Sequence, residues 1–149
     1  MCMTLNEMIG RWNVVSWEQH YDDGRIVRPM GDQLEGFILY SSDGTMVCFI
    51  ARSNRLHFSS GLQWEGTQTE KAQAYEGLIS YGGRFTLRGN QVEHQVEVSS
   101  FPNWVGGVQK RVVTLNGDEL SISARLEAGT PEARTALLQW RRASTNFKG

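Results

Sequence analysis

No stretch of this 149-residue chain is long and apolar enough for a membrane-spanning helix: the longest apolar run is residues 46–51, against the ~20 residues a bilayer requires. The first residues carry no basic segment followed by an apolar core, so no secretory leader is expected. Cysteine is scarce: Cys2 and Cys48 stand far apart, one near the start and one inside an apolar strand pattern. That argues against a disulfide framework and is compatible with a reducing compartment, so a cytoplasmic protein is expected. Charge of either sign is missing in excess, with a net charge of −1, which removes the electrostatic footprint of a nucleic-acid or anionic-membrane partner. His20 and His57 have no partner at metal-ligand spacing, and neither cysteine has a second ligand nearby, so no metal is expected. No nucleophile elbow, P-loop or dinucleotide fingerprint occurs, and no cofactor is expected.

What the chain does have is strands. Its length fits one domain that buries roughly 68–70% of its unfolded surface. Two capping boxes, Thr4 to Glu7 and Thr67 to Glu70, start short helices, the first ended by Gly10 and the second by Glu76-Gly77. A long β-rich segment covers residues 11–21, and a further strand is expected over residues 25–30, with Pro29 marking its end or an edge. Residues 35–41 and 45–52 form a hairpin across Ser42-Asp43-Gly44. Residues 52–66 look irregular, as a lid or binding loop would.

Parity carries the most information between Tyr81 and Leu115. A two-residue turn at Gly89-Asn90 pairs Arg88 with Gln91, so Leu87 and Val92 share a face. Counting by twos puts Tyr81, Gly83, Phe85 and then His94, Val96, Val98 on that same face. The opposite face, including Arg84, Arg88, Glu93 and Glu97, is polar. Phe85 is expected opposite His94, and Gly83 opposite Val96, where a missing side chain would leave ligand space or permit curvature. The first hairpin contributes an inward row of Ile38, Tyr40, Met46, Cys48 and Ile50. The Asn116-Gly117 hairpin contributes Gln109, Arg111, Val113 and Leu115 with Leu120, Ile122 and Ala124, and the last strand Ala136, Leu138 and Trp140. Eight or nine strands, tightly joined and without βαβ rhythm, favour an all-β, up-and-down antiparallel barrel with two short helices. A two-sheet sandwich is the alternative.

Five segments carry a resemblance: GRWNVVSW (10–17), EGFILYSSDGTM (35–46), AYEGLISYGGRF (74–85), HQVEVSSFPNWVG (94–106) and LQWRR (138–142). In order and across nearly the whole chain, they resemble the bacterial lipocalin-like domain family. That resemblance implies a calycin-type β-barrel with a non-polar cavity, a Gly-x-Trp tryptophan (Trp12) plugging the base, and a late basic residue packing across it. Paired histidines often precede the PNWVG loop in that family; here His94 is followed by Gln95.

Inward polar residues define the candidate site. Arg111 needs a carboxylate, a ligand anion or a polar cluster. Glu18 would serve if Trp12, Val14, Ser16 and Glu18 face inward; stacking over Trp12 is the structural alternative. His94 is either a satisfied core histidine, bonded to Tyr81 or to a backbone carbonyl, or a group that binds or transfers protons. Trp104 either caps the barrel mouth or faces a ligand. The expected ligand-binding set is Tyr40, Met46, Cys48, Tyr81, Phe85, His94, Trp104, Gln109 and Arg111, with entry between residues 52–66 and the Trp104 loop. The ligand would be a small apolar or amphipathic molecule. The alternative is a cofactor-free isomerase or cyclase acting on a polyketide- or terpenoid-like substrate, with His94 as acid/base and Arg111 or Tyr81 stabilising an oxyanion. A barrel filled by its own side chains, serving as an interaction module, is a third reading. The polar row around Arg84 and Glu93 leaves a homodimer open.

Overall fold

Turn chemistry sets the topology of the computed structural model, which describes residues 3–144. A four-residue helix, α1 (Leu5–Met8), leads into β1 (Gly10–Tyr21), the short β2 (Ile26–Val27), β3 (Leu34–Tyr40) and β4 (Thr45–Arg52). Helix α2 (Gln68–Glu76) precedes β5 (Leu78–Arg88) and β6 (Gln91–Ser99). A 3₁₀ turn (Pro102–Trp104) then leads to β7 (Val108–Asn116), β8 (Glu119–Leu126) and β9 (Arg134–Arg142). Gly44 and Gly89, at φ 87° and 62°, take left-handed positions that reverse the chain. They set Tyr40 opposite Met46 and Arg88 opposite Gln91. In the β7–β8 hairpin the turn proper is Gly117-Asp118, because Asn116 already pairs with Glu119; the inward row from Leu115 and Leu120 is unaffected.

The sheet runs β1-β3-β4-β5-β6-β7-β8-β9, and β9 pairs back onto β1 from Trp12↔Arg142 to Tyr21↔Arg134. The result is a closed eight-stranded antiparallel barrel, not a sandwich, and closure removes the free edges. β2 adds to the outside of β1 through Gln19↔Val27 and His20↔Ile26. The strand expected over residues 25–30 therefore shrinks to two residues, ending before Pro29, which has no N–H for a ladder.

Two bulges alter the expected parity. Between Val14 and Ser16 the β1–β9 register slips, so Trp17 packs on the core as Trp12 does. Glu18 does not reach Arg111; it accepts from Arg28 (2.9 Å) and meets His20 (3.0 Å) instead. The second bulge lies between Gly82 and Gly83, where Gly83 pairs with Val96 but Gly82 pairs with Val98. Val98 is thereby turned out of the expected inward row and is 72% exposed. A Cβ on Gly83 would lie 2.0 Å from the Gln95 carbonyl oxygen and 2.9 Å from the Glu97 nitrogen. Gly83 thus serves backbone approach at the bulge and leaves no room for a ligand.

The base is closed. Both capping boxes form, α1 ends at Ile9, and Gly10 (φ 126°) opens β1 instead of terminating the helix. Trp12 is fully buried and donates its indole N–H to the Met8 carbonyl at 2.9 Å. Arg142, not Arg111, lies over the Trp12 ring at 4.1 Å and donates to the Glu7 and Ile9 carbonyls at 2.6 and 3.4 Å. Cys48 is buried and free, whereas Cys2 lies outside the described residues. Among the described residues no helix is long and apolar enough to cross a membrane.

Arg142→Met keeps most of the side-chain packing but removes the ring interaction and both carbonyl contacts. It is expected to lower unfolding free energy by about 1–3 kcal/mol, read from urea denaturation as a lower midpoint at constant m.

Candidate ligand-binding site

Strand direction places the mouth. The last residues of β1, β4, β6 and β8 and the first of β5, β7 and β9 meet at the end opposite Trp12. Residues 52–67 leave the barrel at that end and are tied back to α2 where Ser59 N–H donates to Glu70 at 2.7 Å. Trp104 sits there too, edge-on to Tyr81 and Phe101 with ring centroids 5.6 Å apart in each case.

Beneath the mouth lies a cavity of about 160 Å³. Its wall is largely aliphatic, from β3, β4, β5, β8 and β9, with Tyr81, His94, Gln109 and Arg111 on one side and Trp17 and Trp140 also lining it. A larger groove, about 820 Å³, runs outside the barrel along residues 51–63. It is lined mainly by exposed side chains such as Arg55, Leu56 and Leu62. The barrel cavity is where buried polar groups converge.

His94 is 1% exposed. Its Nε2 meets the Tyr40 hydroxyl at 2.7 Å and its Nδ1 the Tyr81 hydroxyl at 3.1 Å. Cross-strand pairing builds this contact, because His94 stands opposite Phe85 on one side and Gln109 on the other. Burial, reinforced by the positive charge of Arg111 and opposed by contact with Gln109, pulls the His94 pKa down to about 4. The ring is neutral near pH 7, so one nitrogen accepts from a tyrosine while the other donates to the second tyrosine. Burial raises Tyr40 and Tyr81 well above the usual tyrosine value and pushes the Cys48 thiol up to about 12.

Arg111 donates to the Lys110 carbonyl at 3.0 Å. No Asp or Glu among the described residues lines the cavity, and burial lowers the Arg111 pKa from its usual value. The nearby tyrosine hydroxyls soften this but carry no charge at neutral pH. A half-buried cation therefore faces a mostly apolar space without a carboxylate, an arrangement suited to an anion or a carbonyl oxygen.

Of the expected ligand-binding residues, Cys48, Tyr81, His94, Trp104, Gln109 and Arg111 line the cavity. Tyr40, Met46 and Phe85 do not; they are buried, with Phe85 and Tyr40 packed edge-on at 4.7 Å between ring centroids. Both His94 nitrogens are engaged, so its action on a bound molecule would run through Tyr81. Trp17 was absent from the expected set because unbroken alternation from Trp12 points it outward. An odd spacing between two large aromatics on one strand was the available signal for a bulge. Trp140 lies on the inward row that alternation gives, and it too lines the cavity. Among the described residues no cluster of three or more His, Cys, Asp or Glu side chains is placed to hold a metal.

Residues 9–143 match the family model described as a lipocalin-like domain. The 4'-hydroxy-3'-methoxypropiophenone carrier protein ppsC of Aspergillus oryzae is 42% identical over 66 residues, covering 39% of this chain and 60% of that protein. The aligned part thus spans less than two thirds of the relative.

The neutral His94 has a signed consequence for stability. Its folded pKa lies below the ordinary value of 6.5, so between pH 6.5 and about 4 the unfolded chain binds more protons. Stability is expected to fall by roughly 3 kcal/mol as pH drops through that window. Urea denaturation at pH 7, 5 and 4 checks this, with His94→Gln lacking that component. The difference between the two proteins isolates it, because carboxylates with lowered pKa, such as Glu18 and Asp22, lose their contribution below their ordinary 4.5 and 3.8.

Proposed function

The chain belongs to the lipocalin-like domain family, and on that premise we propose that it is a carrier of a small, mostly apolar, single-ring molecule bearing an oxygen acceptor. The observation that carries this reading is the apolar barrel cavity holding an arginine that no carboxylate in its wall neutralises. Size supports it: a cavity near 150 Å³ accommodates benzene, and this one is about 160 Å³. The Aspergillus relative is named as the carrier of an aryl ketone, a single-ring molecule of that class.

The isomerase or cyclase reading fits less well. Acid–base catalysis works best with a group titrating near the operating pH. The groups here lie far from neutrality, His94 at about 4, Tyr81 well above its usual value and Cys48 at about 12. The buried Tyr40–His94–Tyr81 set is therefore read as a neutral network that fixes the direction of the Tyr81 hydroxyl.

Tryptophan fluorescence and calorimetric titration with small aromatic ketones, phenols and acids test the proposal; binding by none of them would favour a filled barrel. Arg111→Met is expected to weaken binding of a hydroxyaryl ketone or an aryl carboxylate at least about tenfold. The same change should leave stability unchanged or raise it by about 1 kcal/mol, since it removes a half-buried uncompensated charge. His94→Gln would abolish turnover while sparing affinity if the protein were an enzyme. A carrier shows no turnover in either form.

A further inference from the structure

Among the described residues, two buried side-chain donors have no acceptor. The indole N–H groups of Trp17 and Trp140 are buried and lack a hydrogen-bond partner among the described residues. An indole N–H only donates, so no rotation turns it into an acceptor, and burying it unpaired is unfavourable. The chain satisfies such a group elsewhere: Trp12, fully buried, donates to the Met8 carbonyl. Phenylalanine would fill the same apolar wall without leaving a donor unmet. The two orphans also coincide in place, since both side chains line the barrel cavity.

Their position on the barrel matters. Trp17 is on β1 and Trp140 on β9, the neighbouring strands that close the barrel. Trp140 stands opposite Val14 and Trp17 opposite Leu138, so they are diagonal neighbours on one wall once the Val15 bulge has turned Trp17 inward. Tyr81 and His94 belong to β5 and β6, three or four strands away in either direction around the eight-stranded circuit, which is the far wall. Arg111 and Gln109, on β7, adjoin that far wall.

We infer that Trp17 and Trp140 form a second polar subsite, which holds a carbonyl oxygen at the wall away from Tyr81. This deepens the carrier reading and rests on it: the ligand class becomes a single aromatic ring with oxygen acceptors at two opposite ends. The hydroxyl or acidic end meets Arg111 and Tyr81, and the ketone end meets the indoles. A carbonyl oxygen has two lone pairs and can accept from both N–H groups. The ring lies between them against the aliphatic wall. Ligands with one acceptor leave one pole unmet, so the subsite sets specificity as well as affinity.

Two probes that differ mainly at the ketone end provide the test: 4'-hydroxyacetophenone and 4-ethylphenol, titrated by calorimetry. The wild-type protein is expected to bind the ketone at least about tenfold tighter. In the doubly substituted protein, W17F with W140F, that advantage should fall below about twofold while 4-ethylphenol affinity stays within twofold. A ketone advantage that survives both substitutions overturns the subsite. So does equal affinity of the two probes for the wild type, in which case the carrier reading still stands. No binding of either probe removes the inference, and failure across the wider panel of ketones, phenols and acids removes the carrier reading with it. Should the double variant fold poorly, the wild type suffices. The Trp17 and Trp140 indole proton resonances should move on adding the ketone and not on adding 4-ethylphenol, and unmoved resonances with the ketone bound overturn the proposal.

Discussion

Closure of β9 onto β1 is the constraint on which the rest of the molecule depends. β1 serves two neighbours at once, pairing with β3 through Gly10 to Asn13 and with β9 from Trp12 to Tyr21. A single strand that closes a barrel must follow the tilt and curvature of both partners, and a bulge is the usual means. Here the slip at Val15 also lets one strand bring Trp12 to the base and Trp17 to the cavity, although the five-residue interval between them would otherwise place them on opposite faces. The same slip carries Glu18 outside to Arg28 and His20. One irregular residue thus shapes the cavity wall and keeps a carboxylate away from Arg111.

Keeping that carboxylate away is what makes the site electrostatically unusual. Arg111 would be most comfortable beside Glu18, and a structural pair there would close the cavity to anions. Instead it donates to the Lys110 carbonyl, and the tyrosine hydroxyls and the imidazole that influence it carry no charge at neutral pH. A network of neutral groups can orient a guest without competing for it, because none presents a charge to the arginine. A partly buried charge without a carboxylate costs stability, which is the usual trade at a binding site.

Much of this was legible in the sequence wherever local chemistry settles geometry. Glycine at a tight reversal fixes which neighbours share a face, so Phe85 facing His94 follows from counting, as do the common inward faces of Tyr40 with Met46 and of Leu115 with Leu120. Capping boxes likewise depend on residues three apart, and both formed. What counting misses is an inserted residue, since a slip of one position exchanges the faces of everything beyond it. Val98 and Glu18 were misplaced for that single reason, at two separate bulges. Depth along the barrel is the other thing alternation cannot supply: Tyr40, Met46 and Phe85 share the inward face with Tyr81 but lie outside the cavity wall.

That distinction of depth explains why a barrel this narrow can be both stable and receptive. Toward the base, large side chains fill the interior completely: Trp12, Tyr40, Met46 and Leu120 are each at most 1% exposed, and Arg142 seals the end against Trp12. Toward the mouth, Ala124 and Ala136 replace large residues on adjacent strands, where they pair directly across β8 and β9. Two alanines in register remove side-chain volume from one wall, and the cavity they border lies along it. Were the same rows filled with leucine, the polar groups of Arg111, Tyr81 and the two indoles would face packed hydrocarbon with no room for an acceptor. The small residues and the unpaired donors make physical sense together, each supplying what the other requires.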